Sequence, residues 1–139
     1  MTLVIYHNPA CGTSRNVLAI IKAGKEPHVV IEYLNTGWTK PQLLGLFAAA
    51  GITPRQALRT TKSPADELGL IDPAISDEAL LDAMILHPVL VNRPIVCSPK
   101  GVKLCRPSEA VLDILDVIPD FPILKEDGSV IVNKDGKTL

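Results

Sequence analysis

One cysteine in this sequence stands where a thiol becomes a nucleophile. Cys11 follows a strand-like run at residues 2–7 and the turn-forming Asn8-Pro9, and apolar residues recur at helical spacing soon after it. The pattern predicts a thiol at the amino terminus of a helix, where backbone N–H groups and the helix dipole lower its pKa from about 8.5. The alternative is a small core residue, because free cysteines are often buried. We favour the reactive thiol, since strand, turn and helix meet at this position.

Two polar residues are candidates for supporting that thiol. Ser14 lies one helical turn after Cys11, and its hydroxyl could donate a hydrogen bond to the sulfur; an ordinary first-turn serine is the alternative. His7 ends the first strand and could stabilise the thiolate electrostatically; a structural histidine that bonds the loop is the alternative. Because Cys-x-x-Ser lacks a second cysteine, a disulfide formed at Cys11 must be resolved by a thiol from elsewhere.

Three arginines could form an oxyanion site with this thiol. Arg59, Arg93 and Arg106 come from separate segments. Arginine donates paired hydrogen bonds to tetrahedral oxyanions and does not lose its charge. Arg93 and Arg106 each precede a proline at the end of a predicted element, where active sites of α/β folds collect. Each arginine could equally be a solvated surface charge, and the spacing alone does not bring the three together.

The elements that would position these residues begin with a βαβ unit. Residues 2–7 predict a buried strand, the apolar positions after Cys11 predict a helix that ends at Gly24, and residues 29–34 predict a second strand. The short connections favour a parallel pair of strands. Cys11 would then begin the intervening helix.

The middle of the chain is helical in pattern. Residues 35–86 predict one helix that begins at the capping box Thr39-Lys40-Pro41-Gln42 and ends at Gly51, and another that begins at Ser76. Shorter helical turns are predicted around Gln56 and Glu67. The pattern therefore predicts helices and no strand in this segment.

Strand-like patterns return in the last third of the chain. Residues 89–97 and 101–105 predict an antiparallel hairpin, and Pro107 opens a final core helix. After Pro119, two Asp-Gly turns and little apolar content predict a loosely attached tail with room for one short hairpin. These turns are Asp127-Gly128 and Asp135-Gly136.

Composition bounds the class of protein. The chain has 139 residues, of which 47% are hydrophobic and 21% charged, and this size and composition predict one globular core. The net charge is -1, so we expect no general positive field that would attract nucleic acid or a membrane surface. No apolar run approaches the ~20 residues that span a bilayer, so we expect a soluble, cytoplasmic protein. Three cysteines, Cys11, Cys97 and Cys105, form no close pair, which argues against a disulfide framework or a structural zinc site.

Three segments closely resemble the glutaredoxin-coupled arsenate reductases. They are residues 6–16 (YHNPACGTSRN), 87–96 (HPVLVNRPIV) and 104–109 (LCRPSE), and the similarity runs from Met1 to about Asp116. The resemblance implies an α/β, thioredoxin-like fold: a mixed four-stranded sheet flanked by helices, with the helical insertion at about residues 36–86. The chain would be a single domain, residues 1–139, with a C-terminal tail at about residues 117–139.

The resemblance also implies a site and a reaction. Cys11 matches the nucleophile, His7 and Ser14 match residues that support the thiolate, and the proline matching Pro94 is usually cis. The arsenate-binding arginines match Arg59, Arg93 and Arg106. In the implied reaction Cys11 attacks arsenate, glutathione attacks the adduct as co-substrate, and glutaredoxin reduces the remaining disulfide. No tightly bound cofactor and no metal ion are implied.

Other interpretations remain at this point. Cys105 adjoins Arg106 and could attack a Cys11 adduct, although the resemblance makes it dispensable; Cys97 is interpreted as a core residue.

The phosphatase-loop design of arsenate reductase requires Cys-x5-Arg and is excluded by Val17. Two alternatives share the fold: a general glutathione-dependent thiol oxidoreductase, and an RNA-polymerase-binding redox regulator whose switch commonly uses Cys-x-x-Cys. We favour the arsenate reductase.

Overall fold

The computed structural model describes residues 3–125 and 128–132, and the chain divides into two compact units. The first, the sheet unit, comprises Met1–Glu32 and Arg93–Leu139. The second, the helical unit, comprises Tyr33–Asn92 and so extends beyond both ends of the predicted insertion, residues 36–86. That the whole chain forms a single domain stays a prediction.

A mixed four-stranded sheet forms the sheet unit. Its strands are β1 (Leu3–His7), β2 (His28–Glu32), β3 (Ile95–Ser98) and β4 (Gly101–Leu104), in the order β2-β1-β3-β4. β1 pairs in parallel with β2 and antiparallel with β3, which in turn pairs antiparallel with β4. The predicted parallel pair and hairpin are confirmed.

The helix after Cys11 packs its apolar face on this sheet. Helix α1 (Gly12–Ala23) buries Val17, Ile20 and Ile21, whose spacing places them on one face. It ends at Gly24 as predicted, but Gly24 has an ordinary right-handed backbone conformation. Glycine is favoured there by space, because an added Cβ would lie 3.0 Å from the carbonyl oxygen of Val117, which would have to move slightly.

The second strand is shorter than its apolar sequence predicts. Residues 29–34 predict a strand, whereas β2 ends at Glu32 and the short helix α2 (Tyr33–Thr36) begins directly. Tyr33 is buried and its ring stacks on Trp38, with ring centroids 5.1 Å apart. Ring burial within the helical unit thus outweighs the strand preference of the segment.

A further prediction of element type is wrong. Residues 89–94 do not belong to a strand, because a 3₁₀ helix (Pro88–Leu90) precedes Val91 and β3 begins only at Ile95. The predicted final core helix is present as a 3₁₀ helix, Ser108–Ile114, and Val111, Ile114 and Leu115 are buried as expected. The Ser98 hydroxyl donates to the Ile114 carbonyl at 2.5 Å, and the Lys100 ammonium donates to the Leu115 carbonyl at 3.1 Å. Side chains of the β3–β4 turn thus satisfy carbonyls at the end of this helix.

The tail is not loosely attached over its described residues. Strands β5 (Ile123–Leu124) and β6 (Val130–Val132) form the predicted hairpin. Ile123, Ile131 and Val132 are buried within the same core cluster as Leu3 and Ile20. Gly128 adopts the left-handed conformation, with φ 87, whereas Asp127 and the second predicted turn, Asp135-Gly136, lie outside the described residues.

The helical unit contains three further helices: α3 (Lys40–Ala50), α4 (Pro54–Ala57) and α5 (Asp77–Leu86). The capping box at Thr39, the left-handed cap at Gly51 and the N-cap at Ser76 are confirmed. Hydrogen-bonded turns, and no regular helix, surround Glu67. Arg55 fixes the long loop before α5 by donating to the carbonyls of Leu70, Asp72 and Ile75 at 2.5, 2.9 and 3.0 Å.

No helix in residues 3–125 or 128–132 is both long enough and apolar enough to span a bilayer.

Candidate active site

The loop between β1 and α1 presents Cys11 at the start of the helix. Asn8 forms this loop: its side-chain oxygen accepts the Ala10 N–H at 2.9 Å and its carbonyl accepts the Cys11 N–H at 3.0 Å. Cys11 is the N-cap residue in an extended conformation, and its carbonyl accepts the Arg15 N–H at 3.0 Å. The predicted position of the thiol at the helix amino terminus is confirmed.

The environment of Cys11 favours the thiolate. Burial by itself raises the pKa of the thiol, since Cys11 is only 7% exposed. The Ser14 backbone N–H, the charge of Arg93 and hydrogen bonds from Arg106 and Arg93 act against burial, and the pKa of Cys11 is lowered from its ordinary value. A lowered pKa means that more of this thiol is ionised and nucleophilic at neutral pH.

The sheet topology explains how Arg93 and Arg106 reach the sulfur. Tyr6 pairs with Ile95 and Ile95 with Leu104, so the ends of β1, β3 and β4 meet at one edge of the sheet. Arg106 Nη1 lies 3.8 Å from Cys11 Sγ and donates to the Arg93 carbonyl at 3.1 Å. These two arginines therefore lie beside the thiol.

Both arginines precede cis peptide bonds. The Arg93-Pro94 bond is cis, as the resemblance predicted, and so is Arg106-Pro107. The Cys105 N–H donates to the Pro94 carbonyl at 2.9 Å, which continues the β3–β4 pairing toward the two arginines.

His7, at the end of β1, and Ser14, in α1, contact each other through their side chains. His7 Nδ1 and Ser14 Oγ are 2.6 Å apart, and the Asn8 N–H donates to Ser14 Oγ at 3.0 Å. The expected bond from the Ser14 hydroxyl to sulfur is therefore replaced by one from the Ser14 backbone N–H.

His7 fits the alternative of a structural histidine. Burial is the main cause that lowers the pKa of His7; Glu32 raises it, and Lys22 and Arg15 lower it further. The lowered pKa favours a neutral ring at neutral pH, which does not supply the positive charge expected beside Cys11. A neutral ring can instead accept the Ser14 hydroxyl proton at Nδ1 and so hold the loop.

Arg59 belongs to the helical unit. Its side chain is buried, its Nε donates to the Thr61 carbonyl at 3.0 Å, and its backbone N–H donates to the Leu90 carbonyl at 2.8 Å. The Ser63 hydroxyl donates to the Arg59 carbonyl at 2.5 Å. The structure thus brings Cys11, Arg93 and Arg106 together in one unit and places Arg59 in the other.

The two remaining cysteines are poor nucleophiles. Burial raises the pKa of the Cys105 thiol to about 12, and its Sγ lies 3.6 Å from the Lys103 carbonyl oxygen. Burial also raises the pKa of Cys97. Both therefore remain thiols at neutral pH. Cys97 lies in β3 but is only half-buried, so the prediction that it is a core residue is wrong.

Sequence reasoning missed two residues that hold this loop, one within it and one in α1. Asn8 forms the turn with its side chain, and Asn-Pro before a cysteine carries the signal for such a turn. Arg15 lies over the loop and donates from Nη1 to the Pro9 carbonyl at 2.9 Å. Only the folded loop brings that carbonyl within reach of Arg15.

Comparison with known proteins places this site in a family. The ArsC family matches residues 6–114. The chain is 64% identical to arsenate reductase ArsI2 of Synechocystis sp. over 99% of this chain and 98% of that protein. It is 55% identical to an arsenate reductase of Rhizobium meliloti over 100% of this chain and 99% of that one.

Solved structures agree. An arsenate reductase structure from Vibrio cholerae superposes with a TM-score of 0.77 at 40% identity, covering 83% of this chain and 98% of that one. A structure described as a putative arsenate reductase, from Yersinia pestis, gives a TM-score of 0.75 at 35% identity, covering 81% and 99%. The predicted thioredoxin-like α/β fold is confirmed, and the chain belongs to the ArsC family.

Proposed function

We propose that this protein reduces arsenate to arsenite through a covalent adduct on Cys11, with glutathione and glutaredoxin as the reductants, and that it serves arsenic detoxification. The observation that carries the proposal is the placement of Arg106 Nη1 3.8 Å from Cys11 Sγ, with Arg93 beside it. A nucleophilic sulfur and cationic donors for an oxyanion therefore meet at one point. The relatives are named arsenate reductases, which agrees with arsenate as the substrate.

The arginines would bind arsenate and orient it toward sulfur. Arsenate at neutral pH is a tetrahedral anion with one or two negative charges, and guanidinium groups donate to adjacent oxygens of such an anion. Arg93 and Arg106 would hold two of its oxygens. By resemblance, Arg59 would be the third arsenate-binding arginine.

The first chemical step is nucleophilic attack. The Cys11 thiolate forms a sulfur–arsenic bond, and one arsenate oxygen leaves as water after accepting a proton. Charge on the remaining oxygens would be stabilised by the arginines. Arsenic remains pentavalent in this adduct, so no electrons have yet been transferred.

The second step is reduction by an external thiol. The glutathione thiolate attacks Cys11 sulfur, the electron pair of the sulfur–arsenic bond passes to arsenic, and trivalent arsenite leaves. A Cys11–glutathione disulfide remains, which glutaredoxin reduces by thiol exchange. Over the cycle, arsenic gains two electrons and two glutathione molecules become one disulfide.

The buried state of Cys105 supports an external thiol. A thiol with a pKa of about 12 is almost wholly protonated at neutral pH and attacks slowly. With Ser14 where a resolving cysteine would stand, glutathione is the simplest reductant. Because this scheme requires glutathione and reduced cysteines, we propose that the reaction takes place in the cytoplasm.

A coupled assay tests the proposal. Arsenate-dependent NADPH oxidation is measured with glutathione, glutaredoxin and glutathione reductase, comparing the wild type with Cys11→Ser and with Cys97→Ser as the control. We expect turnover that needs every component, is lost in Cys11→Ser and persists in Cys97→Ser. No turnover by folded wild type would contradict the proposal, and rapid reduction of protein–glutathione disulfides in its place would favour the general thiol oxidoreductase.

A further inference from the structure

We propose that a cationic cavity along α1 binds the small peptide thiol of the reaction through its carboxylates. The inference rests on the proposed function, because it assigns a site to the co-substrate of that reaction. The cavity has a volume of about 850 Å³ and lies within the sheet unit. It is lined by residues of the β1–α1 loop, of α1 and of the C-terminal hairpin, among them Arg15, Lys22 and Lys125.

The charge of the lining points to an anionic ligand. Arg15, Lys22 and Lys125 contribute three cationic side chains, and the lining residues that the structure describes include no carboxylate. The charges of Lys22 and Arg15 both lower the pKa of His7, so both cations influence this part of the lining. The charge of Glu32, in β2, raises the same pKa. Glutathione carries two free carboxylates, which match a cavity with several separated cations.

The position of the cavity suits delivery of a thiol to Cys11. Pro9 and Gly12, on either side of the cysteine, both line it. Arg15 lies close to both of these residues. Its Nη1 donates to the Pro9 carbonyl at 2.9 Å, and its Nη2 lies 3.8 Å from where a Cβ on Gly12 would be. A guanidinium has five N–H donors, so this bond leaves donors for a carboxylate.

The C-terminal hairpin also contributes to the lining. Leu124 adds apolar surface to that of Leu18 and Ala19, and Lys125 is held by its backbone bonds to Ser129 and Gly128, at 2.7 and 3.0 Å. A second cavity of about 230 Å³ shares Asn16 and Lys125 and is lined further by Thr13, Pro107, Ser108, Val130 and Ile131. Lys125 therefore lies between the larger cavity and the segment that follows Arg106.

The size of the larger cavity favours a small molecule over a protein surface. Small-molecule sites commonly have volumes of about 300–1,000 Å³ and combine apolar walls with a few polar groups. The cavity is lined by five apolar residues, Pro9, Leu18, Ala19, Ala23 and Leu124, and by three cationic residues. We therefore assign it to a peptide thiol, and docking of a partner protein becomes a testable alternative.

Direct binding tests the site without turnover. S-methylglutathione, which cannot react as a thiol, is titrated into the full chain and its Kd is measured by NMR chemical shifts. The double variant Lys22→Gln/Lys125→Gln is compared with Lys25→Gln/Lys62→Gln, which removes the same charge from exposed lysines outside the lining. We expect affinity to fall roughly tenfold in the first variant only, since two exposed ion pairs are lost.

A kinetic measurement separates this inference from the function itself. With arsenate, the cavity double variant should show a higher KM for glutathione and an unchanged rate when 2-mercaptoethanol, which has no carboxylate, is the thiol. Binding that is lost in the double variant supports the cavity even if arsenate is not reduced. Equal Kd values in the two double variants would overturn the inference even if arsenate reduction is confirmed.

One further outcome would reassign the cavity. If the cavity double variant binds S-methylglutathione normally but its Cys11–glutathione disulfide is reduced more slowly by glutaredoxin, the surface docks the protein reductant. That result would overturn the peptide-thiol assignment.

Discussion

Removing the charge of Arg106 should reduce the ionisation of Cys11. In the wild type, Arg106 Nη1 lies 3.8 Å from Cys11 Sγ and is one of the groups that lower the pKa of this thiol. Arg106→Gln keeps a polar side chain of similar reach but removes the cation. The pKa of Cys11 should therefore rise, and less thiolate should be present at pH values below it.

The size of this effect follows from the distance. Two unit charges 3.8 Å apart interact by about 1 kcal/mol in a water-like dielectric, which is a lower limit here because Arg106 is exposed but Cys11 is buried. That energy corresponds to roughly a fivefold fall in thiolate where the thiol is mainly protonated. At pH values well above the pKa of both proteins the difference should disappear, because both are then fully ionised.

Iodoacetamide alkylation at a series of pH values measures the thiolate directly. Mass spectrometry assigns the label to Cys11, and Lys25→Gln removes an exposed charge beyond the far end of α1 as the control. We expect the Arg106→Gln profile to move to higher pH, Arg106→Lys to lie between it and wild type, and the control to match wild type. An unmoved Arg106→Gln profile, or an equal movement in Lys25→Gln, would refute the assignment of this contact as a source of the lowered pKa.

Three further predictions concern stability. Arg55→Ala should lower the free energy of unfolding by about 1–3 kcal/mol in urea denaturation, because three loop carbonyls lose their donor. Arg55→Lys should restore only part of that stability. An unchanged free energy of unfolding in Arg55→Ala would show that these hydrogen bonds do not stabilise the loop. Because the pKa of His7 is lowered on folding, its contribution to stability is present above the unfolded-state value of about 6.5 and is lost as the pH falls toward the folded-state value. His7→Gln should flatten that slope in denaturation curves between about pH 7 and pH 5, and the exposed control His87→Gln should keep it; an unchanged slope in His7→Gln would contradict the assignment. Ile131→Ala should cost about 2–4 kcal/mol because the side chain is buried, whereas Leu124→Ala, at a residue 50% exposed, should cost far less; equal small losses in thermal unfolding would mean that the hairpin is only loosely attached.

The sequence by itself determined the parts of the fold that depend on neighbouring residues. Helix α1 after Cys11, the capping box at Thr39 and the N-cap at Ser76 were predictable, because each depends on side chains within a few positions of one another. The motif around Cys11 likewise predicted a thiol at a helix amino terminus. The segments around Arg93 and Arg106 carried the family resemblance, but the spacing of these arginines in the sequence does not predict their contact with the thiol.

Only the tertiary structure decided the features that depend on long-range packing. The apolar segment after residue 28 leaves the strand at Tyr33 because burying that ring outweighs strand preference, and the tail is fixed because Ile131 and Val132 enter the common core. Arg106 reaches Cys11 from 95 positions away through the pairing of β1, β3 and β4. The His7 ring contacts the Ser14 hydroxyl, and burial lowers the pKa of His7, which disfavours the charged ring that would stabilise the thiolate. Local sequence determines most of the helices and strands and the position of the reactive thiol. Burial and strand pairing determine which residues surround that thiol and alter its pKa.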